Sequence, residues 1–502
     1  MFELKILPDP DELWKGIGGY FDNLTQIICE FVDNSISNCL SNSRHTRRYI
    51  TVRLTEKQNQ RSEKYVSVRI EDAGTGIKNL EAAFTLGSRK GAESPLNEHG
   101  FGLKHALASA DPENQSWQIM TRTSDEGSPG SFKQIKAPYK LEGLQVEELS
   151  QGWTGTITGT IVCFNSTWEM FRTVTKGLKG NYTSFGTIVN LIAEDLGFIY
   201  SGIIEEGFVI NIEAIDESGE ELEPITVKAV SPEFESYYQG GSRGGSGSIT
   251  QDLGGGNVSI NYVIGFMKEH SEWKKYYKKN MSTSGVEVRV NGRIIAYNLF
   301  KEIWNIEKHN SYNPFLVRIS LASKNIDALP CTLSSKNGFR QGDSKFEKLV
   351  DVIRMLVGND NTPPKVPTES TDEREKFKIL KDRIQSSYKM KNELATVLVE
   401  KYAFNTTCTG ADKIRIDLFV QDTNAIYFFE GKIDQTHAKD LYQLRMYWDG
   451  LVADGIQPSH AFLIGKNHSG AVNDLVNEVN NMKDCNGNNY NVELVKWSDY
   501  QL

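Results

Sequence analysis

Hydrophobic residues near the start of the chain recur at steps of three and four, which predicts an amphipathic helix over residues 20–38 (YFDNLTQIICEFVDNSISN). On this helix Glu30 and Asn34 are one turn apart, and Asp33 lies beside them. A carboxylate and an amide therefore project from the same side. Taken alone, these residues fit equally well a helix whose polar face simply points to solvent.

The pattern then changes to strict alternation, which predicts strands with one buried face at 49–54, 65–70 and 158–164. The second of these strands ends in EDAGTGI, so Asp72 leads directly into a turn formed by Gly74 and Gly76. Glycine there permits positive φ and lets a ligand approach the backbone. An Asp-x-Gly-x-Gly sequence is also compatible with an ordinary tight turn.

A polar segment punctuated by glycines precedes the next predicted helix, which begins at Leu103. Gly100 and Gly102 lie just before it. Glycine-rich backbone at a helix N-terminus exposes N–H groups to an anion such as a phosphate. A mobile lid over a nucleotide would have the same composition.

Further along, the periodicity predicts a helix at 185–204, strands at 208–212, 258–264 and 316–321, and an Asn-Gly hairpin at 285–295. The last of these strands leads to IDALPCTLSSKNGF. The polar, proline-containing segment 358–376 is the predicted linker between domains.

After the linker, the pattern predicts a long helix from residue 373 to about 402 that contains Glu393. An α/β region with strands at 414–420, 425–432, 461–465 and 492–497 and a helix at 436–453 follows. Asp417 lies in the first strand, and Glu430 and Lys432 lie at the end of the second. Clustered carboxylates without a cation repel one another, so a cluster of these residues would need a bound cation. As a bare pattern, Asp followed by Glu-x-Lys is common and does not require such a cluster.

Composition and charge limit the class of protein only slightly. The 502 residues, 39% hydrophobic and 24% charged, are typical of a globular protein with several domains, and no apolar run or signal-peptide pattern predicts membrane insertion or export. Six scattered cysteines favour reduced thiols in the cytoplasm. The net charge of −9 excludes a uniformly basic nucleic-acid-binding surface, but basic islands at 44–48 and 273–279 leave binding through a patch open.

Four motifs of the first 165 residues, in their order and approximate spacing, resemble those of the GHKL ATPases, the superfamily of gyrase B, MutL, histidine kinases and the MORC proteins. They are Glu30-x-x-Asp33-Asn34, Asp72-x-Gly74-x-Gly76, Gly100-x-Gly102-x-Lys104 and Gly159-Thr160. The stretches ICEFVDNS and GFGLK look closest to MutL-like and MORC-like members. One position departs from the family: Asn97 stands where the third motif usually begins with glycine.

The resemblance implies a role for each motif. Glu30 would be the general base for the attacking water, and Asn34 would bind Mg²⁺. Asp72 would accept a hydrogen bond from the adenine amino group, and the segment from Gly100 to Lys104 would bind the phosphates through its backbone. Gly74, Gly76 and Thr160 complete the expected ATP site.

The phrase IDALPCTLSSKNGF resembles a loop of the second, transducer domain of MutL-like and MORC-like proteins, which has a ribosomal-protein-like βαβ fold. In that family the loop sends a lysine to the γ-phosphate. Pro330, Thr332, Lys336 and Phe339 match its pattern, so the resemblance implies that Lys336 senses the terminal phosphate.

The C-terminal part resembles the PD-(D/E)xK nucleases. Asp417, Glu430 and Lys432 would be catalytic there, with Glu393 as a further metal ligand and Gln443 also matching the family. The predicted fold class is α/β (α+β), in three domains: a GHKL ATPase sandwich at 1–205, a transducer domain at 206–357 and, after the linker 358–376, a restriction-endonuclease-like domain at 377–502.

The function that follows from both resemblances is an ATP-regulated, Mg²⁺-dependent DNA endonuclease of prokaryotic anti-phage or restriction-type defence. ATP binding would drive formation of a homodimer that gates the nuclease, and partner proteins of a defence system are possible. Two alternatives remain: an ATP-dependent DNA clamp of the MORC or MutL type whose degenerate nuclease fold only binds, and a chaperone-like ATPase.

Overall fold

The computed structural model describes residues 9–40, 48–88, 100–125, 130–180, 182–238, 245–270, 272–358, 373–391, 393–405 and 414–500. The chain divides into two compact units, Met1–Val366 and Pro367–Leu502. Within the described residues the strands form three main sheets, two in the first unit and one in the second. The predicted α/β fold class is confirmed. None of the helices in the described ranges combines the length and apolar content that crossing a membrane requires.

The first sheet has eight strands in its described part: β1 (Tyr49–Gln58), β2 (Lys64–Asp72), β3 (Gln118–Arg122), β4 (Phe132–Lys136), β5 (Val146–Leu149), β6 (Gly159–Thr167), β7 (Val209–Ile215) and β8 (Ile225–Thr226). Their spatial order is β5-β4-β3-β6-β2-β1-β7-β8. β7 runs parallel to β1, and its buried residues Ile210, Ile212 and Ala214 join the first hydrophobic core. The first sheet therefore continues past residue 205, where the sequence places the domain boundary.

The helices of this part are α1 (Pro10–Gly18), α2 (Leu24–Leu40), α3 (Leu80–Phe84), α4 (Gly102–Ala110), α5 (Trp168–Arg172), α6 (Phe185–Ile199) and α7 (Ser201–Glu205). The predicted helix around Glu30 is confirmed as α2, which buries Ile27, Ile28 and Phe31 in the core because they recur on one face. The predicted helix at 185–204 is divided at Tyr200, whose ψ of 16° departs from helical geometry.

The second sheet contains β9 (Phe234–Tyr237), β10 (Ser246–Asp252), β11 (Asn257–Met267), β12 (Gly285–Val290), β13 (Arg293–Leu299) and β14 (Phe315–Ala322). Its main order is β10-β11-β14-β12-β13, with β9 also paired to β11. The helices α8 (Lys301–Trp304) and α9 (Ser344–Val357) pack on a second core. The predicted hairpin is confirmed, since Asn291 and Gly292 have the two positive φ angles, 48° and 85°, of the two-residue turn between β12 and β13.

The second unit is built on the strands β15 (Ala395–Tyr402), β16 (Arg415–Asp422), β17 (Ile426–Gly431), β19 (His460–Gly465) and β21 (Val492–Lys496), with the short pair β18 (Gln435–Thr436) and β20 (Asn467–His468). They are adjacent in the order β15-β16-β17-β19-β21. The pairs β15–β16 and β16–β17 are antiparallel, and the pairs β17–β19 and β19–β21 are parallel. The helices are α10 (Glu373–Met390), α11 (Ala438–Ala453) and α12 (Gly470–Asn480).

The prediction of one helix from 373 to about 402 is wrong. α10 ends at Met390, and residues 395–402 (ATVLVEKY) form β15, which pairs with β16. Valine is stiff at χ1 and favours extended backbone, and pairing with β16 satisfies the backbone hydrogen bonds of this segment.

Candidate functional site

Two buried carboxylates of α2, Glu30 and Asp33, contact a lysine from the loop between β14 and α9. Lys336 Nζ lies 3.1 Å from Glu30 Oε1 and 2.8 Å from Asp33 Oδ2. All three side chains are buried. The predicted base and the predicted phosphate-sensing lysine are thus in direct contact.

The loop that carries Lys336 is a tight turn. Thr332 and Phe339 form a β-bridge across its base, and the backbone N–H of Lys336 donates to Leu333 O at 2.8 Å. Lys336 itself has a φ of 50°, in the left-handed region that lysine rarely adopts. The turn therefore fixes the direction in which this side chain leaves the loop.

Asp33 has two further partners. Arg293, the first residue of β13, donates from Nε to Asp33 Oδ1 at 2.8 Å, and the Tyr200 hydroxyl donates to the same oxygen at 2.9 Å. Both residues are buried. Sequence reasoning missed Arg293 and Tyr200, because the need of Asp33 for a partner of opposite charge follows from its burial, which only the structure shows.

Burial and charge act against each other in this cluster. Burial raises the pKa of Glu30, while the ammonium of Lys336 opposes that rise. For Lys336, burial disfavours the charged form, but the carboxylates of Asp33 and Glu30 outweigh it, so the pKa of Lys336 is raised. The lysine remains charged because the two carboxylates are beside it.

Asp72 lies at the end of β2 and is buried. Its Oδ1 accepts hydrogen bonds from the backbone N–H groups of Gly74, at 2.9 Å, and Thr160, at 3.2 Å. Burial raises the pKa of Asp72 to about 7, and the bond from Gly74 opposes the shift. Gly76 has a φ of 73°, and a Cβ there would lie 2.3 Å from Arg122 O, so the turn after Asp72 requires glycine.

Gly102 begins α4 directly against Glu30: a Cβ at this position would lie 2.1 Å from Glu30 Oε2. The side chain of Lys104 points elsewhere. Its Nζ donates to Gly100 O at 2.6 Å and Ala83 O at 3.0 Å, and burial lowers the pKa of Lys104 to about 8. In this structure Lys104 ties the start of α4 to α3. Asn97 lies outside the described residues.

Asn34 is half-buried one turn after Glu30, and its Nδ2 is buried without a hydrogen-bond partner among the described residues. Asn34 follows Asp33 in the sequence, and its amide takes no part in the described hydrogen bonds of the Glu30 and Asp33 cluster. A side-chain amide oxygen is a suitable ligand for Mg²⁺. The residue type and position fit the predicted metal site.

A second cluster lies in the C-terminal unit. One carboxylate oxygen from each of Glu373, Asp417 and Glu430 lies within 4.8 Å of the others, a set that can hold a metal ion. Lys432 Nζ is 2.5 Å from Glu430 Oε1 and 3.9 Å from Glu373 Oε1. The backbone N–H of Gly431 donates to Asp417 Oδ2 at 3.0 Å. Burial and the charge of Asp417 raise the pKa of Glu430 to about 9.

Glu373 stands in this cluster in place of Glu393. Glu393 is exposed in the connection between α10 and β15, and it is not part of the three-carboxylate group. The correction follows from the end of α10 at Met390, because Glu393 no longer lies on the helix that the sequence predicted. Gln443 donates to the Tyr447 hydroxyl at 2.6 Å, and the pKa of Tyr447 is raised by burial and then by the charge of Glu430.

Two of the four lysines of the basic island at 273–279 are ion-paired within the protein. Glu194 accepts backbone N–H groups of Lys274 and Lys275, and Lys275 Nζ pairs with Asp195 at 2.8 Å. Lys279 pairs with Glu235 at 2.7 Å. The ion pairs offset the charges of Lys275 and Lys279, and Lys274 is exposed. Residues 41–47, which include most of the other island, lie outside the described ranges.

No protein-family model matches the chain, and no curated protein matches it. Among solved structures it is similar to an N-terminal domain of a DNA repair protein, with a TM-score of 0.39, 15% identity and coverage of 70% of this chain and 97% of that one. It is also similar to the B-subunit of DNA gyrase from Myxococcus xanthus, with a TM-score of 0.33, 8% identity and coverage of 66% and 87%. At these TM-scores, functional inference rests on the residues of this chain.

Proposed function

We propose that the first unit binds and hydrolyses ATP, and that the second unit is a metal-dependent nuclease that acts on DNA. The ATPase proposal is carried by the contact between Lys336 and the α2 carboxylates Glu30 and Asp33. The ammonium comes from the loop before α9 and is buried against the candidate base, which supports a role in attracting a terminal phosphate.

The roles follow the chemistry of each group. Glu30 takes a proton from the attacking water, and Gly102 leaves room beside its carboxylate. Asp72, held by two backbone N–H groups, accepts a hydrogen bond from an adenine amino group. Asn34 would hold Mg²⁺ through its side-chain oxygen, and the ion would supply positive charge against the phosphates.

The nuclease proposal rests on the donor set of Glu373, Asp417 and Glu430 with Lys432 beside it. Three carboxylates fit a hard divalent cation, which would polarise a scissile phosphate and activate a bound water. The ammonium of Lys432 orients that water or the phosphate. Glu430 must lose its proton before it can bind the metal, because burial holds its pKa near 9.

Two further parts of the proposal come from the family resemblance. ATP drives dimerisation that gates the nuclease, and the protein acts in anti-phage or restriction-type defence. In a dimer, two nuclease units would act on one duplex. The intact acidic set favours an active nuclease over the alternative of a clamp whose nuclease fold only binds.

The test is to incubate the purified full chain with supercoiled plasmid and Mg²⁺ or Mn²⁺, with and without ATP, and to measure phosphate release and DNA products. We expect ATP hydrolysis together with DNA cleavage, and an Asp417→Asn variant that hydrolyses ATP but does not cleave. Hydrolysis without cleavage under any of these conditions would replace the nuclease with the DNA clamp. Failure to bind ATP would overturn the ATPase assignment.

A further inference from the structure

The buried cluster around Asp33 contains two cationic side chains, Lys336 and Arg293, which pair with different sets of carboxylates. Lys336 contacts the candidate base Glu30 and also Asp33. Arg293 contacts Asp33 at 2.8 Å, and Glu30 is not among its ion pairs within 4.0 Å in the described residues. Among the ion pairs of the described residues, Asp33 therefore has two cationic partners and Glu30 has one.

Arg293 also holds the backbone of the lysine. Its Nη1 donates to Lys336 O at 2.8 Å, and the guanidinium lies 5.8 Å from the centre of the Tyr200 ring. The fork of donors on arginine allows one side chain to bind a carboxylate and a carbonyl together, which a lysine ammonium does less well. One residue thus connects the Lys336 loop to α2.

This arrangement has an electrostatic consequence if Lys336 moves. A buried carboxylate left without a cation is strongly unfavourable. When Lys336 turns toward a phosphate, Asp33 retains Arg293 and stays neutralised. Glu30 loses its nearest cation, and this raises the affinity of its carboxylate for the proton of the attacking water.

We propose that Arg293 is a positioning residue for phosphate sensing: it is the permanent counter-ion of Asp33 and the anchor of the Lys336 backbone, so that Lys336 can transfer between Glu30 and the terminal phosphate. This inference rests on the proposed ATPase function. It goes beyond that function in assigning the discrimination between ATP and ADP to a residue outside the sequence motifs.

The test compares Arg293→Gln and Arg293→Lys in the full chain with Arg289→Gln as the matched control. Arg289 is also a buried, ion-paired arginine of the same hairpin, but its partners are Glu287, Glu205 and Ser201. The measurements are the affinities for Mg²⁺-ADP and for a non-hydrolysable ATP analogue by calorimetry, together with kcat and KM for ATP.

We expect Arg293→Gln to bind ADP like the wild type and to lose about tenfold or more of the preference for the ATP analogue. Arg293→Lys, which keeps the charge at Asp33, should restore part of that preference, and Arg289→Gln should leave it unchanged. An unchanged preference in Arg293→Gln, or an equal loss for both nucleotides, would overturn the proposal. If Arg293→Gln does not fold, Arg293→Lys decides the matter, since an anchoring role requires it to lose part of the preference. Wild-type protein that binds neither nucleotide would instead overturn the ATPase proposal itself.

Discussion

Lys336 and Glu30 are 306 positions apart in the sequence, and their charged groups lie 3.1 Å apart in the structure. Glu30 belongs to a helix of the first hydrophobic core, and Lys336 to a loop whose Phe339 packs in the second. The contact therefore joins two separately packed parts of the first unit. Any ligand that attracts Lys336 changes the environment of the candidate base as well.

Replacement of Glu30 by glutamine should abolish ATP turnover and leave nucleotide binding intact. Loss of a positioned base typically costs about 10²–10⁴-fold in rate. The measurement is phosphate release alongside binding of a fluorescent nucleotide. Asn34→Ala is the contrasting variant and should lose Mg²⁺-dependent binding itself. Wild-type turnover in Glu30→Gln would show that the base lies elsewhere.

The Lys336→Ala variant should bind ADP normally but lose the compaction or dimerisation that ATP induces, because only the terminal phosphate requires the ammonium. Scattering with a non-hydrolysable ATP analogue measures this change. Removing one partner of a buried ion pair also costs roughly 3 kcal/mol of unfolding free energy, which thermal unfolding without nucleotide would reveal. An unaltered response to the analogue would reduce Lys336 to a structural residue.

Glu373 and Glu393 provide a matched pair for the nuclease site. Glu373→Gln should weaken metal binding and DNA cleavage, because its carboxylate lies with those of Asp417 and Glu430. Glu393→Gln should leave both unchanged, since that residue is exposed and outside the group. Titration with Mn²⁺ and a plasmid-nicking assay report the two effects. Loss of metal binding in Glu393→Gln but not in Glu373→Gln would show that Glu393 is the metal ligand, as the sequence predicted.

Metal binding to the second unit should strengthen as pH rises. Metal-free Glu430, with a pKa of about 9, carries a proton at neutral pH that the metal must displace. The affinity should therefore rise about tenfold per pH unit below that pKa, which Mn²⁺ calorimetry between about pH 6.5 and 8.5 measures.

In the metal-free protein, the contribution of Glu430 to the unfolding free energy decreases as pH rises, whereas metal affinity increases. The folded state holds this proton more tightly than the unfolded chain, so the stabilising contribution is fully present below the ordinary pKa of glutamate. It is then lost as pH rises toward about 9. Glu430→Gln should remove both dependences, and a metal affinity independent of pH in the wild type would contradict the raised pKa.

Local pattern predicted most of the elements that position both sites. The period around Glu30 predicted α2, and the alternation ending at Asp72 predicted β2. Such signals are local, because each depends on which face of one element is buried. The Asn-Gly turn before Arg293 was predicted for the same reason.

Partners contributed from distant parts of the chain were not predictable in this way. Nothing near Arg293 in the sequence indicates that it pairs with Asp33, and Glu373 was missed because the helix was extended over residues that pair as β15. The continuation of the first sheet past residue 205 was not predicted for a similar reason. The residue pattern of Val209–Ile215 predicts a strand but does not indicate which strand it pairs with. Its parallel pairing with β1 is determined by tertiary packing.

The pairing of Tyr49 with Val209 also bears on how the protein is made. A nascent chain emerges from the ribosome N-terminal end first, so β1 is available long before β7 has been synthesised. Until then one edge of β1 presents unpaired backbone groups, which can recruit another chain. A fragment that ends at residue 205 keeps that edge permanently open and should aggregate, whereas one that extends beyond Thr226 includes both missing strands. The first sheet can therefore be completed only after β7 and β8 have been synthesised, long after β1.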